Sequence, residues 1–247
     1  MRATLALECI TRRHRLGREH VAVLHDVSLE LWPGELVAIL GAHRSGKTTL
    51  LRVAAGVEAP DAGAVRLDGV ALATCSASER ARLLRGVGYV PKSWRVARGK
   101  PVLDHVALPL LAAGRPLVTA HAKAYEAIER VGVLHCAGAT PDELGPCDET
   151  RVALAQALVH EPRLLLLDEP GVLAAPEERE ELLRLLRAVA AERPQTALLV
   201  TARDVSGLAG AARVLTLDAG VLRGAREPTG ADVLAFPERV VEATSSR

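Results

Sequence analysis

A short glycine-containing segment constrains this chain more than any other feature of its sequence. Residues 41–48 read Gly-Ala-His-Arg-Ser-Gly-Lys-Thr, which matches the pattern G-x-x-x-x-G-K-[ST]. The apolar run 36–40 before it predicts a buried strand, and an apolar helix is predicted over 46–55. In a loop of this kind, successive backbone N–H groups point inward and act with the helix N-terminus to bind phosphate. The alternative is a glycine turn that carries a surface lysine.

The residues of this segment therefore predict a nucleotide site. Lys47 is expected to reach the β- and γ-phosphates, and the hydroxyl of Thr48 is expected to bind Mg²⁺. The predicted nucleotide-binding residues are Gly41, Ala42, His43, Arg44, Ser45, Gly46, Lys47, Thr48 and Thr49.

A second part of the site is predicted where four consecutive leucines end in two carboxylates. Residues 164–167 are all leucine, which favours a parallel strand covered on both faces, and Asp168 and Glu169 follow directly. In doubly wound sheets, ligands lie beyond the carboxyl ends of the strands. Asp168 is therefore the predicted Mg²⁺ ligand beside Thr48, and Glu169 is the predicted catalytic residue that polarises the attacking water. A capping or loop pair of carboxylates is the alternative.

The rest of the chain alternates short apolar runs with helical patterns, which predicts an α/β fold. From residue 102 to about 136 the pattern is helical only and is punctuated by Pro101, Pro109 and Pro116, which indicates a helical subdomain inserted into the sheet domain. Strands are predicted at 5–10, 20–31, 36–40, 64–67, 87–90, 163–167, 196–201 and 213–217. Further helices are predicted at 77–84, 122–131, 149–160, 177–192 and near 205–210, before a polar, mobile tail.

Composition excludes several classes of protein. The 247 residues include 31 Lys and Arg against 30 Asp and Glu, so the balance argues against a nucleic acid as the main partner. Aromatic residues make up 2%, too few for a platform on which bases stack. No apolar run approaches the roughly 20 residues of a membrane span, and the N-terminus does not resemble a signal peptide. The four cysteines show no metal-ligand spacing and are interpreted as reduced thiols.

With both parts of the site placed, residues 3–223 resemble the nucleotide-binding subunit of an ABC transporter. The resemblance rests on segments 27–35, 63–69, 87–91 and 151–158 in addition to the loop and the acidic strand. Segment 104–114 is most similar to the lipoprotein-release and macrolide-efflux branch. The family implies a P-loop NTPase (RecA-like) core, an antiparallel β subdomain and an inserted helical subdomain at about 92–160, together forming a domain over 1–224 with a tail over 225–247.

The resemblance also implies ligands, partners and a location. ATP and Mg²⁺ are the implied cofactors, and two ATP-binding subunits enclose two ATP molecules, each site being completed by the signature segment of the other subunit. The implied partners are membrane-spanning subunits and a second ABC ATPase subunit, with no nucleic acid. The implied location is the cytoplasmic face of the cell membrane.

The chain departs from the family at the signature, which usually reads Leu-Ser-Gly-Gly-Gln. Residues 144–148 read Leu-Gly-Pro-Cys-Asp instead. Gly145 has no hydroxyl, Pro146 has no N–H, and Asp148 adds negative charge where the partner's γ-phosphate is expected. Proline is compatible with the first turn of a helix, so the helix itself is expected to form.

Four other family positions also differ. Lys92 replaces the loop glutamine, and it is expected either to contact phosphate or to be a solvated loop residue. Ala202 replaces the switch histidine and Ala175 the aspartate of the loop after the acidic strand. His14 lies where an aromatic residue stacks on adenine, with a plain surface histidine as the alternative.

These departures leave two functions open. One is a working ATPase subunit of an exporter, and the other is a pseudo-ATPase that regulates or scaffolds a competent subunit. A P-loop small-molecule kinase conflicts with the helix at 151–158 just before the acidic strand. The favoured prediction is a degenerate ABC subunit that binds MgATP, hydrolyses it slowly and pairs with a complete subunit as a heterodimer.

Overall fold

The computed structural model describes residues 2–17, 19–94, 96–97, 99–170, 172, 175–203 and 211–226. The strands are β1 (Leu5–Leu16), β2 (Glu19–Leu31), β3 (Leu36–Leu40), β4 (Ala62–Leu67), β5 (Val70–Ala71), β6 (Val87–Val90), β7 (Leu164–Asp168), β8 (Ala197–Ala202), β9 (Arg213–Asp218) and β10 (Val221–Arg226). The α-helices are α1 (Lys47–Ala54), α2 (Ala77–Leu84), α3 (Val102–Ala112), α4 (Leu117–Arg130), α5 (Pro146–Leu158) and α6 (Pro176–Glu192). Two single 3-10 turns span Leu134–Cys136 and Pro141–Glu143.

The larger sheet positions the two predicted parts of the site next to each other. Its six strands run in the order β10-β9-β3-β8-β7-β6, and all neighbours pair in parallel except β10 with β9. Asp168 at the end of β7 pairs with Thr201 at the end of β8. The loop after β3 leaves the sheet at the same edge, because the carboxyl ends of parallel strands coincide.

The four leucines of β7 confirm the expectation of a strand covered on both faces. Leu165 and Leu167 pack in a hydrophobic cluster with the helices α3, α4 and α5. Leu164 and Leu166 pack in a second cluster with α1 and the smaller sheet. Successive side chains of a strand point to opposite faces, so one leucine run serves two cores.

The smaller sheet is antiparallel, with the order β2-β1-β4-β5. β1 continues to Leu16, beyond the end predicted at Ile10. The apolar pattern stops near that residue, but the backbone goes on pairing with β2 as far as Leu16↔Glu19, across several register shifts. Backbone hydrogen bonds hold this extension. Because its side chains do not alternate between apolar and polar, the sequence does not reveal it.

The helical subdomain contains an exception to the expected proline breaks. Pro101 and Pro116 flank helices, but Pro109 lies inside α3. A proline at this position cannot donate to the carbonyl of His105, four residues earlier. The side chain of Gln156 on α5 donates to that carbonyl at 2.8 Å, and its own carbonyl oxygen accepts from the Trp94 indole at 2.8 Å. The acceptor freed by the proline is therefore satisfied by a neighbouring helix.

The C-terminal predictions meet the structure only in part. β10 runs through residues 225 and 226, where the polar tail was predicted to begin. The rest of that tail and the helix predicted near 205–210 lie outside the described residues. Within the described part of the chain, no helix combines the length and the apolar character needed to cross a bilayer.

Candidate functional site

The loop between β3 and α1 has a backbone that only glycine permits at two positions. A Cβ on Gly41 would lie 2.5 Å from the Leu217 carbonyl oxygen. Gly46 has φ of 106°, and a Cβ there would lie 2.7 Å from the Val23 carbonyl oxygen. Gly46 is the residue from which α1 starts. These contacts explain the two glycines of the predicted phosphate loop and favour an N–H-lined concavity at the start of α1.

Lys47 is held across the loop rather than extended into solvent. Its Nζ donates to the carbonyl oxygens of Gly41 at 2.5 Å and Ala42 at 2.8 Å. The same Nζ lies 3.1 Å from Oε1 of Glu169, and the side chain is only 3% exposed. A buried cation thus links the loop to the end of β7, which argues against a surface lysine on a glycine turn.

A cavity of about 380 Å³ opens over the loop. Its volume lies within the usual range for small-molecule sites. Gly41 and Ala42 contribute to it indirectly, since their carbonyl oxygens hold Lys47. The predicted site residues that line the cavity are His14, His43, Arg44, Ser45, Gly46, Lys47, Thr48, Thr49, Lys92 and Glu169, and Val21 and Val23 complete the wall.

His14 and Lys92 thus share this wall despite their distance in sequence from the loop. The imidazole Nε2 of His14 lies 3.2 Å from Glu58 Oε2, and its side chain is partly exposed. Lys92 is not a solvated loop residue, because its Nζ is 2.8 Å from Oε2 of Glu169.

Three cations surround the carboxylate of Glu169. Lys47 contacts Oε1, whereas Lys92 at 2.8 Å and Arg203 at 3.0 Å contact Oε2. Burial raises the pKa of Glu169, but hydrogen bonds from Lys92, Lys47 and Arg203 outweigh it and lower the pKa to about 2. The residue is also held in the left-handed region, with φ of 46°, where its N–H donates to the Thr201 hydroxyl.

Arg203 and Thr201 are site residues that the sequence did not predict. Arg203 immediately follows β8, and Thr201 is the β8 residue paired with Asp168. The available signal was a cation one position after the expected switch residue, Ala202. That alanine brings no polar side chain, although its carbonyl oxygen accepts from the Gly41 N–H at 3.2 Å.

Asp168 has the donor chemistry expected of a Mg²⁺ ligand. Its Oδ1 accepts from the Thr201 hydroxyl at 3.1 Å, while its Oδ2 is buried with no hydrogen-bond partner among the described residues. Burial raises the pKa of Asp168, against the lowering effect of the Thr48 and Thr201 hydroxyls. A free buried carboxylate oxygen beside a threonine hydroxyl fits a hard cation that prefers oxygen ligands.

The segment 144–148 forms the start of α5, as expected. Gly145 is the N-cap, Pro146 is the first helical residue, and Asp148 and Glu149 occupy the first turn. Glu149 accepts from the Trp94 backbone N–H at 2.5 Å, which ties this turn to the loop after β6. Ala175, at the expected aspartate position, is the N-cap of α6.

The chain matches the family model described as ABC transporter over residues 24–172. It is 33% identical over 222 residues to the lipoprotein-releasing system ATP-binding protein LolD of Pseudomonas syringae, covering 90% of this chain and 97% of that protein. It is 34% identical over 206 residues to the macrolide export ATP-binding/permease protein MacB of Azoarcus sp., covering 83% of this chain. A third relative is the methionine import ATP-binding protein MetN of Caulobacter vibrioides, 36% identical over 197 residues and 80% of this chain.

The matched lengths differ widely among these relatives. The chain spans 31% of the macrolide protein and 59% of the methionine protein. Among solved structures, the dimeric bacterial ABC transporter cassette MJ0796 superposes with a TM-score of 0.79 at 25% identity, covering 90% of this chain and 99% of that chain. The P-loop NTPase fold with its two sheets and helices is therefore confirmed.

Proposed function

The chain belongs to the ABC transporter family, and on that premise we propose that it is an ATP-binding subunit of a membrane exporter with slow hydrolysis at its own site. The observation that carries the proposal is the contact between Lys47 and Glu169, at 3.1 Å. This contact joins the phosphate loop to the acidic end of β7 at one cavity, which Lys47 and Glu169 both line. A triphosphate bound there would meet a lysine, loop N–H groups and the carboxylate of Glu169.

In this proposal each side chain has a distinct task. Lys47 exchanges its contacts with the loop carbonyls for contacts with the β- and γ-phosphates. Thr48 and Asp168 would hold Mg²⁺, which would supply positive charge to neutralise the phosphates. His14 lies in the wall of the cavity and packs against the adenine. Lys92 adds a positive charge near the terminal phosphate.

Slow hydrolysis follows from the surroundings of Glu169. A general base needs an oxygen free to accept a proton and a pKa near the working pH. Both oxygens of Glu169 are already bound to cations. When Lys47 moves to the phosphates, Lys92 and Arg203 still occupy Oε2, so Glu169 remains a weak base.

The start of α5 supports a pairing with an unlike subunit. We propose that this segment faces the nucleotide of a partner, as the family resemblance implies. Pro146 offers no N–H, and Asp148 and Glu149 place negative charge in the first turn. In a homodimer, this segment would complete both nucleotide sites. In a heterodimer, the partner's complete signature segment would supply its donors to the nucleotide bound by this chain.

Export, membrane-spanning partners and a place on the cytoplasmic face of the membrane belong to the same proposal. They are supported by the match to LolD over 97% of its length. MetN, named as an import protein, is the competing analogy. Since the relatives include both export and import proteins, the direction of transport is measured with this chain bound to its native membrane partners.

The alternative is a pseudo-ATPase that binds nucleotide and only regulates or scaffolds a competent subunit. The three cations around Glu169 favour this alternative, because they hold the one predicted catalytic carboxylate. The two proposals differ in one observable. A slow ATPase loses its residual phosphate release when Lys47→Ala removes nucleotide binding, whereas a pseudo-ATPase has no phosphate release to lose.

The test begins with titration of the purified chain with MgATP by calorimetry, followed by single-turnover phosphate release. One saturable site with slow release supports the proposal. Co-purification with the native membrane partners then counts the distinct ATP-binding subunits in each complex. Absence of MgATP binding overturns the function, and two copies of this chain as the only ATP-binding subunits overturn the heterodimer.

A further inference from the structure

A second cluster of ligating side chains lies away from the nucleotide cavity, at the start of α5. It consists of His135, Cys136 and Asp148. The first two residues belong to the 3-10 turn Leu134–Cys136, and Asp148 lies in the first turn of α5. One ligand atom from each of the three lies within 4.8 Å of the other two. From these positions we propose that the cluster is a binding site for a divalent transition-metal ion of the zinc type.

The set of donors selects that class of ion. Thiolate and imidazole ligands suit Zn²⁺ and its neighbours, whereas Mg²⁺ and Ca²⁺ prefer oxygen alone. A thiolate and a carboxylate carry two negative charges, which balance a divalent cation when the imidazole is neutral. This balance matters because Cys136 is buried, with 4% of its surface exposed.

The spacing requires only a small adjustment. Ligand atoms around one zinc ion, at bond lengths of about 2.0–2.3 Å, lie roughly 3.3–3.8 Å apart. His135 Nε2 is already 3.7 Å from Asp148 Oδ2. The His135 side chain is 68% exposed, so it can rotate to complete the site and leaves an entry path for the ion.

The backbone around the cysteine is firmly placed. The Cys136 N–H donates to the Val133 carbonyl at 2.9 Å, and the next carbonyl, that of Ala137, accepts from the Leu103 N–H on α3 at 3.1 Å. Burial, reinforced by the Asp148 carboxylate, raises the pKa of the Cys136 thiol. A bound cation reverses that unfavourable pairing, because it lies between the two negative groups.

The proposal gives three protein ligands and leaves a fourth position open to water. Its location has a consequence for the first turn of α5. The ion would neutralise Asp148, one of the two acidic residues there, and would link the 3-10 turn to the helix. This inference is independent of the proposed ATP site, whose predicted metal ligands, Thr48 and Asp168, are oxygen donors.

The experiment uses the full chain, reduced and stripped with a chelator, with Mg²⁺ in excess to occupy oxygen sites. Titration with Co²⁺ is followed by the near-ultraviolet thiolate-to-cobalt absorption, and Zn²⁺ affinity is then measured by competition with a chromophoric chelator. The expected result is one equivalent of metal, a thiolate band, and a melting temperature raised by roughly 5 °C at saturating Zn²⁺.

Variants locate the site. Cys136→Ser should remove the thiolate band, and His135→Ala should weaken Zn²⁺ binding by about 10-fold or more. Cys75→Ser is the matched control, since that thiol contacts the Leu72 carbonyl elsewhere in the fold and its loss should change neither measurement. No thiolate band in the unaltered chain, or the same band in Cys136→Ser, overturns the proposal.

Discussion

Two helices of this protein begin after a glycine, and their first turns have opposite chemistry. At α1, the loop glycine Gly46 with φ of 106° leads into Lys47, and no acidic residue lies in the first turn. At α5, Gly145 leads into Pro146, which lacks an N–H, and two acidic residues follow. The first helix start attracts an anion and the second repels it. The proposed function assigns the start of α1 to this chain's own phosphates and the start of α5 to the nucleotide of a partner.

The largest expected effect comes from removing the cation at the attractive end. Lys47→Ala should weaken MgATP binding by about 100-fold or more, because charged hydrogen bonds to phosphate are lost in a buried site. Isothermal titration calorimetry measures the change. Lys123→Ala is the control, since that lysine pairs with Glu126 on the surface of α4 and its loss should leave the affinity unchanged. Equal affinities for the two variants would contradict the comparison.

The second prediction rebuilds the repelling end. Substituting Gly145→Ser, Pro146→Gly, Cys147→Gly and Asp148→Gln, together with Ala202→His, should raise steady-state phosphate release by about 100-fold, since a single restored donor can supply a factor on the order of 10²–10³. Ala202→His alone is the comparison variant and should give a smaller gain. If neither raises turnover while the fold is intact by circular dichroism, the slow step lies elsewhere.

A smaller effect is expected from removing one of the cations that contact the predicted catalytic carboxylate, Glu169. Lys92→Gln removes one of the two cations on Oε2 of Glu169 and should raise turnover by about 3- to 10-fold, because the carboxylate becomes a better base. Glu169→Gln alone should change the low turnover of the unaltered chain little. Combined with Lys92→Gln in one protein, it should abolish the rise in turnover that Lys92→Gln produces. A lower rate for Lys92→Gln would indicate that this lysine acts on phosphate instead.

The smallest effect concerns stability and should spare the nucleotide site. Gln156→Ala leaves the His105 carbonyl and the Trp94 indole without their partner, at a cost of about 1–3 kcal/mol and a fall in Tm of about 2–10 °C. Gln195→Ala is the control, because that glutamine is exposed. Thermal melting and MgATP titration together check the prediction, which fails if the affinity falls with the Tm.

The sequence predicted best those features that one continuous segment encodes. Residues 41–49 form the phosphate loop as one continuous segment. The four leucines of β7 likewise form one continuous run that is buried on both faces. The cations around Glu169 were not predicted as its partners: Lys92 was expected at phosphate or in solvent, and Arg203 was not singled out. The Arg203 contact depends on β7 and β8 ending side by side, 34 residues apart in the chain, and no local pattern encodes that adjacency.

The other misses have equally physical causes. β1 continues past Ile10 through backbone pairing, which leaves no apolar alternation to read. Pro109 was read as a break because the compensating group lies on α5, far along the chain. His135, Cys136 and Asp148 come together from two elements, so a search for ligands at short spacing does not find them.

The hydrogen bond between Gln156 and the His105 carbonyl couples the residue at position 156 to the proline at position 109. A proline at position 109 leaves the His105 carbonyl without its helical donor, and the amide of Gln156 supplies that donor. The Gln156 amide in turn contributes this stabilisation only while the proline is present. Among descendants of this sequence, the two residues should therefore be inherited or replaced as a pair, and a replacement of Gln156 alone should be followed by the loss of Pro109.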